Sequence, residues 1–269
     1  MTDDAPQALR ITREGGIALL EMTNPKKRNP LNQALKDALA AAARELTDDA
    51  SLRAVIIAGS DGVFCAGGDL KAMNAEREAG TYDGAEDYLG RLRHMHGWVR
   101  ALRGLPVPVI AAVDGPAYGA GLGIALVADF IIATDRAAFN ASFCRVGLVP
   151  DGGLFYSLPR AVGAQRAKEM FYTGRTVTAE EAQRIGLVME VVAPEDLMDR
   201  AWASARMMTE GNPAAFELTK RISGQALETD AETLLALEQQ AQSICLSSRY
   251  NGEAVERFTN KKPLRFDYR

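Results

Sequence analysis

An α/β fold with an α-helical C-terminal region is predicted by three features of the chain. Short apolar runs recur along its first two-thirds, separated by stretches whose apolar residues fall at helical spacing. The apolar runs do not alternate with polar residues, the pattern of strands covered on both faces in a mostly parallel sheet. After Pro159 the strand signal thins and helical periodicity takes over.

Taken in order, Ile17-Ala18-Leu19-Leu20-Glu21-Met22 reads as a strand. Asn29-Pro30 offers an N-cap and a proline at the first helical position. Leu31, Leu35, Ala38, Leu39, Ala42 and Leu46 then mark one face of a helix. Ala54 to Ala58 is a short buried strand ending at Gly59, and residues 85–103 form a helix closed by Gly104. Val107 to Val113 is the next strand, a helix covers Ala120 to Ala128, and Phe130 to Ala133 is a further strand. Thr178-Ala179-Glu180-Glu181 has capping-box spacing before a helix that stops near Gly186. Gly186 to Val192 is the last strand, followed by helices over 195–210, 213–226 and 230–247, with Asn212-Pro213 and Asp230 as caps. The division expected is an α/β core over 1–194 and a helical region over 195–269.

Composition narrows the function classes. Of the 269 residues 47% are hydrophobic and 25% charged, as in ordinary globular proteins. A net charge of −4 supplies no global positive field for a nucleic-acid backbone. No apolar run reaches the roughly 20 residues of a membrane span, and no secretory or transit signal is visible at the N-terminus. Cys65, Cys144 and Cys245 are far apart and odd in number, which fits neither a metal site nor a disulfide framework and points to a reducing cytoplasm. His94 and His96, the only histidines, would point to different faces of a helix. No metal is expected.

Three segments carry candidate chemistry. Phe64-Cys65-Ala66-Gly67-Gly68-Asp69-Leu70 and Asp114-Gly115-Pro116-Ala117-Tyr118-Gly119-Ala120-Gly121-Leu122-Gly123 are glycine-rich turns, each after an apolar strand. Facing one pocket, two such turns would aim two N–H donors at one oxygen, which is what an oxyanion hole requires. The second turn has Gly-x-Gly but places Ile124 where a dinucleotide fingerprint needs its third glycine. The third segment is Gly147-Leu148-Val149-Pro150-Asp151-Gly152-Gly153. Asp151 is the only acid between Asp135 and Glu169. Pro-Asp-Gly is a turn signal, which gives Asp151 a structural reading. A carboxylate alone among apolar and glycine residues is also costly to ionise, and a raised pKa suits a proton shuttle.

These turns, in this order and with this loop after them, resemble the crotonase family of enoyl-CoA hydratases and isomerases. The similarity takes in Asn24-Pro25, the Phe64–Leu70 turn, Pro108 to Gly115, Leu158 to Gly163, Thr173-Gly174-Arg175, Ala182 to Val192 and the ending Phe258 to Phe266. It implies a spiral of ββα repeats with a C-terminal helical region, assembled as a homotrimer or a hexamer made of two trimers. It implies an acyl-CoA thioester substrate, with coenzyme A as part of the substrate and no separate cofactor. By motif match, the N–H groups of Ala66 and Ala120 would form the oxyanion hole, and Gly67, Gly68, Asp69 and Leu70 would border the adenine pocket. Lys26, Lys27 and Arg28 stand where such proteins often meet CoA phosphates, and Lys261 and Lys262 where they reach a neighbour's CoA.

A hydratase of this type carries two glutamates, and the matching positions here are Gly123 and Phe143, neither of which moves a proton. Asp151 falls where single-acid isomerases carry their carboxylate, and Val149 to Gly153 is similar to the phenylacetate-pathway isomerase branch. The expectation is therefore an acyl-CoA double-bond isomerase of the Δ3–Δ2 or epoxyphenylacetyl-CoA type, with Asp151 shuttling a proton between carbons. The alternatives are another crotonase-type reaction (hydration, thioester hydrolysis or C–C bond lysis) and a non-catalytic CoA- or RNA-binding relative.

Overall fold

The computed structural model describes residues 7–81 and 84–268. Its main sheet has six strands in the order β1 (Leu9–Glu14), β2 (Ile17–Met22), β3 (Ala54–Gly59), β4 (Val109–Val113), β6 (Phe130–Thr134) and β9 (Glu190–Val192). The β1–β2 hairpin is antiparallel and every later pairing is parallel. A second sheet, β5 (Pro116–Tyr118), β7 (Ala138–Asn140) and β8 (Thr176–Thr178), branches off beside it.

The absence of polar alternation in the strands follows from burial on both sides. Leu20, Met22, Val55, Ile57, Val109 and Ala111 point into one apolar layer, whereas Ile17, Leu19, Ala54, Ile56, Ile110 and Ile132 point into the other. The first layer is filled by α1 (Gln33–Thr47) and α3 (Ala85–Arg103), with Leu35, Leu39, Leu46, Trp98 and Leu102 in the core. The second is covered by Leu197, Ala201 and Ala205 of α8 (Leu197–Thr209). The remaining helices are α2 (Leu70–Glu78), α4 (Ala120–Ala125), α5 (Leu154–Val162), α6 (Ala164–Thr173), α7 (Ala179–Arg184), α9 (Pro213–Ser223), α10 (Ala231–Leu246) and α11 (Arg249–Thr259). The α/β class and the helical C-terminal region match the sequence expectation. Neither α10 nor α11 has a buried residue, and Leu235, Ile244, Leu246 and Phe258 are exposed.

The structure corrects several boundaries. α1 is capped by Asn32, whose side chain accepts from the Leu35 amide at 3.0 Å, and not by Asn29. Asn29 has a positive φ of 46° and is buried, its side chain engaged with a different segment. The last strand is only Glu190–Val192, because Gly186 to Met189 belong to the turn that closes α7. The caps at Thr178, Asn212 and Asp230 are as expected, each side chain accepting a backbone amide of its helix's first turn.

Candidate active site

The two glycine turns leave the C-terminal ends of the parallel strands β3 and β4 and meet above the sheet. Cys65 pairs with Ala117 as an isolated bridge, with Cys65 N–H donating to Pro116 O at 2.9 Å and Tyr118 N–H to Cys65 O at 3.0 Å. The approach is close enough to dictate residue type. A Cβ on Gly67, which has φ +93°, would lie 2.5 Å from Tyr118 O, and one on Gly121 would lie 2.2 Å from Cys65 O. The Cβ position of Gly67 is 3.6 Å from Ala120 N, so both turns border one small volume.

The destination of each amide decides which can hold a ligand oxygen. Ala66 was the expected donor, but its N–H donates to Arg28 O at 2.9 Å and is not available. The Gly67 amide is directed at the Cys65 sulfur. Among the described residues no acceptor is found for the Gly68 amide, nor for that of Ala120, which opens α4 and has no earlier helical turn to serve it. The amides left without an acceptor among the described residues are those of Gly68 and Ala120. The Cys65 thiol beneath them is pushed up to about 11 by burial, so it is neutral and no nucleophile.

Arg28 O is brought to the Ala66 amide by the segment that runs from Asn24-Pro25 to Asn29-Pro30. A 3-10 turn over Pro25–Lys27 is followed by Arg28 and Asn29, both non-glycine residues at positive φ (63° and 46°). Asn29 is 1% exposed; its carboxamide accepts from Asn24 N at 2.6 Å and donates to Val63 O at 2.7 Å and Phe64 O at 3.0 Å. This buried clamp turns Arg28 O toward Ala66. The available signal was Asn before Pro, because Asn tolerates the left-handed region better than other non-glycine residues.

Asp151 follows Pro150 and precedes Gly152 and Gly153, both at positive φ (61° and 83°), where α5 begins. Its Oδ1 is buried without a hydrogen-bond partner among the described residues. Burial pushes the carboxyl above the usual range, opposed by the Coulombic influence of His96 on α3 and Lys36 on α1. Neither residue was expected at this place; His96 and Lys36 lie 55 and 115 residues away in sequence, and local pattern carries no signal for the encounter. His94 instead meets Asp37 across the α1–α3 contact, at 3.2 Å.

The positions that would carry hydratase acids are filled. A Cβ on Gly123 would be 3.1 Å from Gly152 O and 3.4 Å from Gly152 Cα, so the backbone next to Asp151 packs directly on α4. Phe143 is 7% exposed, and its ring lies 3.8 Å from where a Cβ of Gly119 would be. Leu148 and Val149, expected to surround Asp151, are exposed in this single chain, whereas Leu154 is fully buried.

The basic residues stand apart from one another. Lys26, Lys27 and Arg28 form an exposed cluster beside the first turn, Asp69 caps α2 by accepting from Ala72 N at 3.0 Å, and Leu70 is exposed. Lys261 is exposed, and Lys262 reaches Glu256 at 3.5 Å at the far C-terminus.

Residues 12–269 match the enoyl-CoA hydratase/isomerase family model. The chain belongs to the enoyl-CoA hydratase/isomerase family. Among relatives of this family member, a short-chain-enoyl-CoA hydratase of Clostridium acetobutylicum is 33% identical, covering 94% of this chain and 95% of its own. A carnitinyl-CoA dehydratase of Salmonella arizonae is 38% identical over 84% of each. A crystal structure of an enoyl-CoA hydratase/isomerase from Cupriavidus metallidurans superimposes on this family member with a TM-score of 0.90 at 35% identity, covering 97% of this chain and 98% of that one. The names of these three relatives favour hydratase, and none of the three specifies the phenylacetate-type isomerase. Among the described residues no helix is long and apolar enough to cross a membrane.

Proposed function

We propose that this family member is an acyl-CoA double-bond isomerase in which Asp151 carries a proton between C2 and C4. The observation that carries the reading is the single buried, unpartnered carboxylate oxygen of Asp151, with Gly123 and Phe143 where paired acids would stand. In the proposed step the thioester oxygen accepts from the Gly68 and Ala120 amides, which makes C2–H more acidic. Asp151 removes the C2 proton, the C3=C4 pair shifts to C2=C3 through a dienolate, and the same carboxyl returns the proton at C4. Atoms and charge balance with no water consumed and no redox partner. An acid that must be protonated in mid-cycle is helped by the burial that raises its pKa. Each oxyanion donor is worth about 10²–10³ in rate.

In the same reading Lys26, Lys27 and Arg28 meet the CoA phosphates, while Lys261 and Lys262 serve the CoA of a neighbouring copy. The exposed apolar side chains of α10 support assembly into a trimer. The test is conversion of a 3-enoyl-CoA to its conjugated 2-enoyl isomer by the wild type and by Asp151→Asn; equal turnover would sink the assignment. Hydration is the second reading, favoured by the relatives' names. Rapid addition of water to a 2-enoyl-CoA by the wild type would establish it in place of the first.

A further inference from the structure

The candidate active site lies where β3 and β4 end. A separate cavity of about 920 Å³ opens at the other end of the sheet, where β4 and β6 begin, between the α3–β4 connection, α5 and α9. That volume is within the range of small-molecule sites. Its walls carry Arg100, Arg103, Arg160, Lys220 and Arg221 against only two carboxylates, Asp129 and Glu217.

Two of the five cations are neutralised. Lys220 donates to Asp129 at 2.8 Å and to Val107 O at 3.0 Å, which fastens α9 to the core, and Arg160 pairs with Glu228. Arg100, Arg103 and Arg221 have no carboxylate partner among the described residues. Tyr156 sits between two of the guanidiniums, with Arg103 4.2 Å and Arg160 3.5 Å from its ring centroid, and its hydroxyl donates to Gly224 O at the end of α9. Stacking on one ring holds Arg103 beside Arg160, and Arg103, unlike the Glu228-paired Arg160, has no carboxylate partner among the described residues to occupy its N–H edge. Converging guanidiniums in a concave site are suited to a ligand with several anionic oxygens, bound through bidentate charge-assisted hydrogen bonds.

We infer that this cavity is a binding site for a small polyanion, of the phosphate-ester or polycarboxylate class, separate from the acyl-CoA site. The inference does not rest on the isomerase reading. It is tested by titrating the full-length protein with inorganic pyrophosphate at fixed ionic strength, by calorimetry. Saturable binding of one pyrophosphate per chain is expected, weakened at least tenfold in Arg103→Gln/Arg221→Gln. The single variant Arg221→Gln, at an exposed and unpaired position, gives an intermediate loss and guards against misfolding of the double variant; circular dichroism checks both. Lys26→Ala/Lys27→Ala is expected to bind pyrophosphate as the wild type does. Loss in that variant with retention in the arginine variants would place the anion on the candidate CoA cations and overturn the proposal. Absence of saturable binding at millimolar pyrophosphate overturns it too, as does an arginine variant that only alters the sedimenting mass, which would make the cavity a contact between copies of the chain.

Discussion

Asp151→Asn is expected to make the protein more stable while removing the proposed isomerase activity. Asp151 Oδ1 is buried without a hydrogen-bond partner among the described residues, and desolvation is the largest influence on the carboxyl. Leaving a buried acceptor unsatisfied costs roughly 1–3 kcal/mol, and more when it is charged. Lys36 offsets part of this, and Asn leaves an amide atom in the same place, so the net gain at neutral pH is about 1 kcal/mol. For a chain of this size that corresponds to about 2–4 °C in Tm. The pH dependence is diagnostic. An acid whose native pKa lies above its unfolded value of about 3.9 holds more protons folded than unfolded between those two values, so stability falls as pH rises through that window. The wild type loses this increment and the variant does not. The two should coincide near pH 4 and separate as pH rises toward 8. Urea unfolding at both pH values, at one fixed protein concentration, measures the gap, and turnover of a 3-enoyl-CoA should fall by about 10²–10⁴. A variant less stable than wild type at pH 8, or one still active, would show that Asp151 is a turn residue held by its own structural bonds.

Three further substitutions probe the frame around it. Gly123→Glu is expected to add no hydratase activity, because Phe143 still occupies the second acid position and the new Cβ presses within 3.1 Å of Gly152 O; rapid hydration of a 2-enoyl-CoA by this variant would contradict that. Asn29→Ala removes three hydrogen bonds at a buried site and should cost about 2–4 kcal/mol in urea unfolding. Asp114 is nearly buried, and despite that burial its pKa is held down by hydrogen bonds from Arg136 (2.6 Å) and Thr134 (2.8 Å). Its contribution is present above about pH 3.9 and is lost as pH falls through the lowered native value. Asp114→Asn should therefore cost about 1–2 kcal/mol at pH 7 and progressively less as pH falls below about 3.9, by thermal melts.

Elements with a dense local code were legible in the sequence. The apolar strands around Leu19, Ile56 and Ala111 announce two-sided burial by their lack of alternation, and Thr178, Asn212 and Asp230 announce helix starts through the chemistry of their side chains. Three-residue strands such as Pro116–Tyr118 and Ala138–Asn140 are too short for a periodic signal and exist through their pairing. Asn29 misled for a related reason: its capping chemistry is real, but the acceptors it found are 34 and 35 residues away. The site shows the same division. Two glycine turns and a lone Asp can be seen locally. Which amide of the first turn remains free, and that Lys36 and His96 face Asp151, depend on long-range packing.

The clamp at Asn29 also bears on folding. The candidate oxyanion pair exists only once three segments have docked: the Asn24–Asn29 turn, the Phe64–Gly68 turn with its Leu31–Gly68 bridge, and the Pro116–Ala120 turn. None completes the seat alone, since each contact between segments closes a loop of more than 30 residues, and closures of that kind are the slow, entropically costly events of folding. The amides at Gly68 and Ala120 are therefore expected to align late. Partly folded chains with most of their helices in place would lack a seat for the thioester oxygen, and the appearance of thioester binding during refolding would report completion of the fold more faithfully than any gain in helicity.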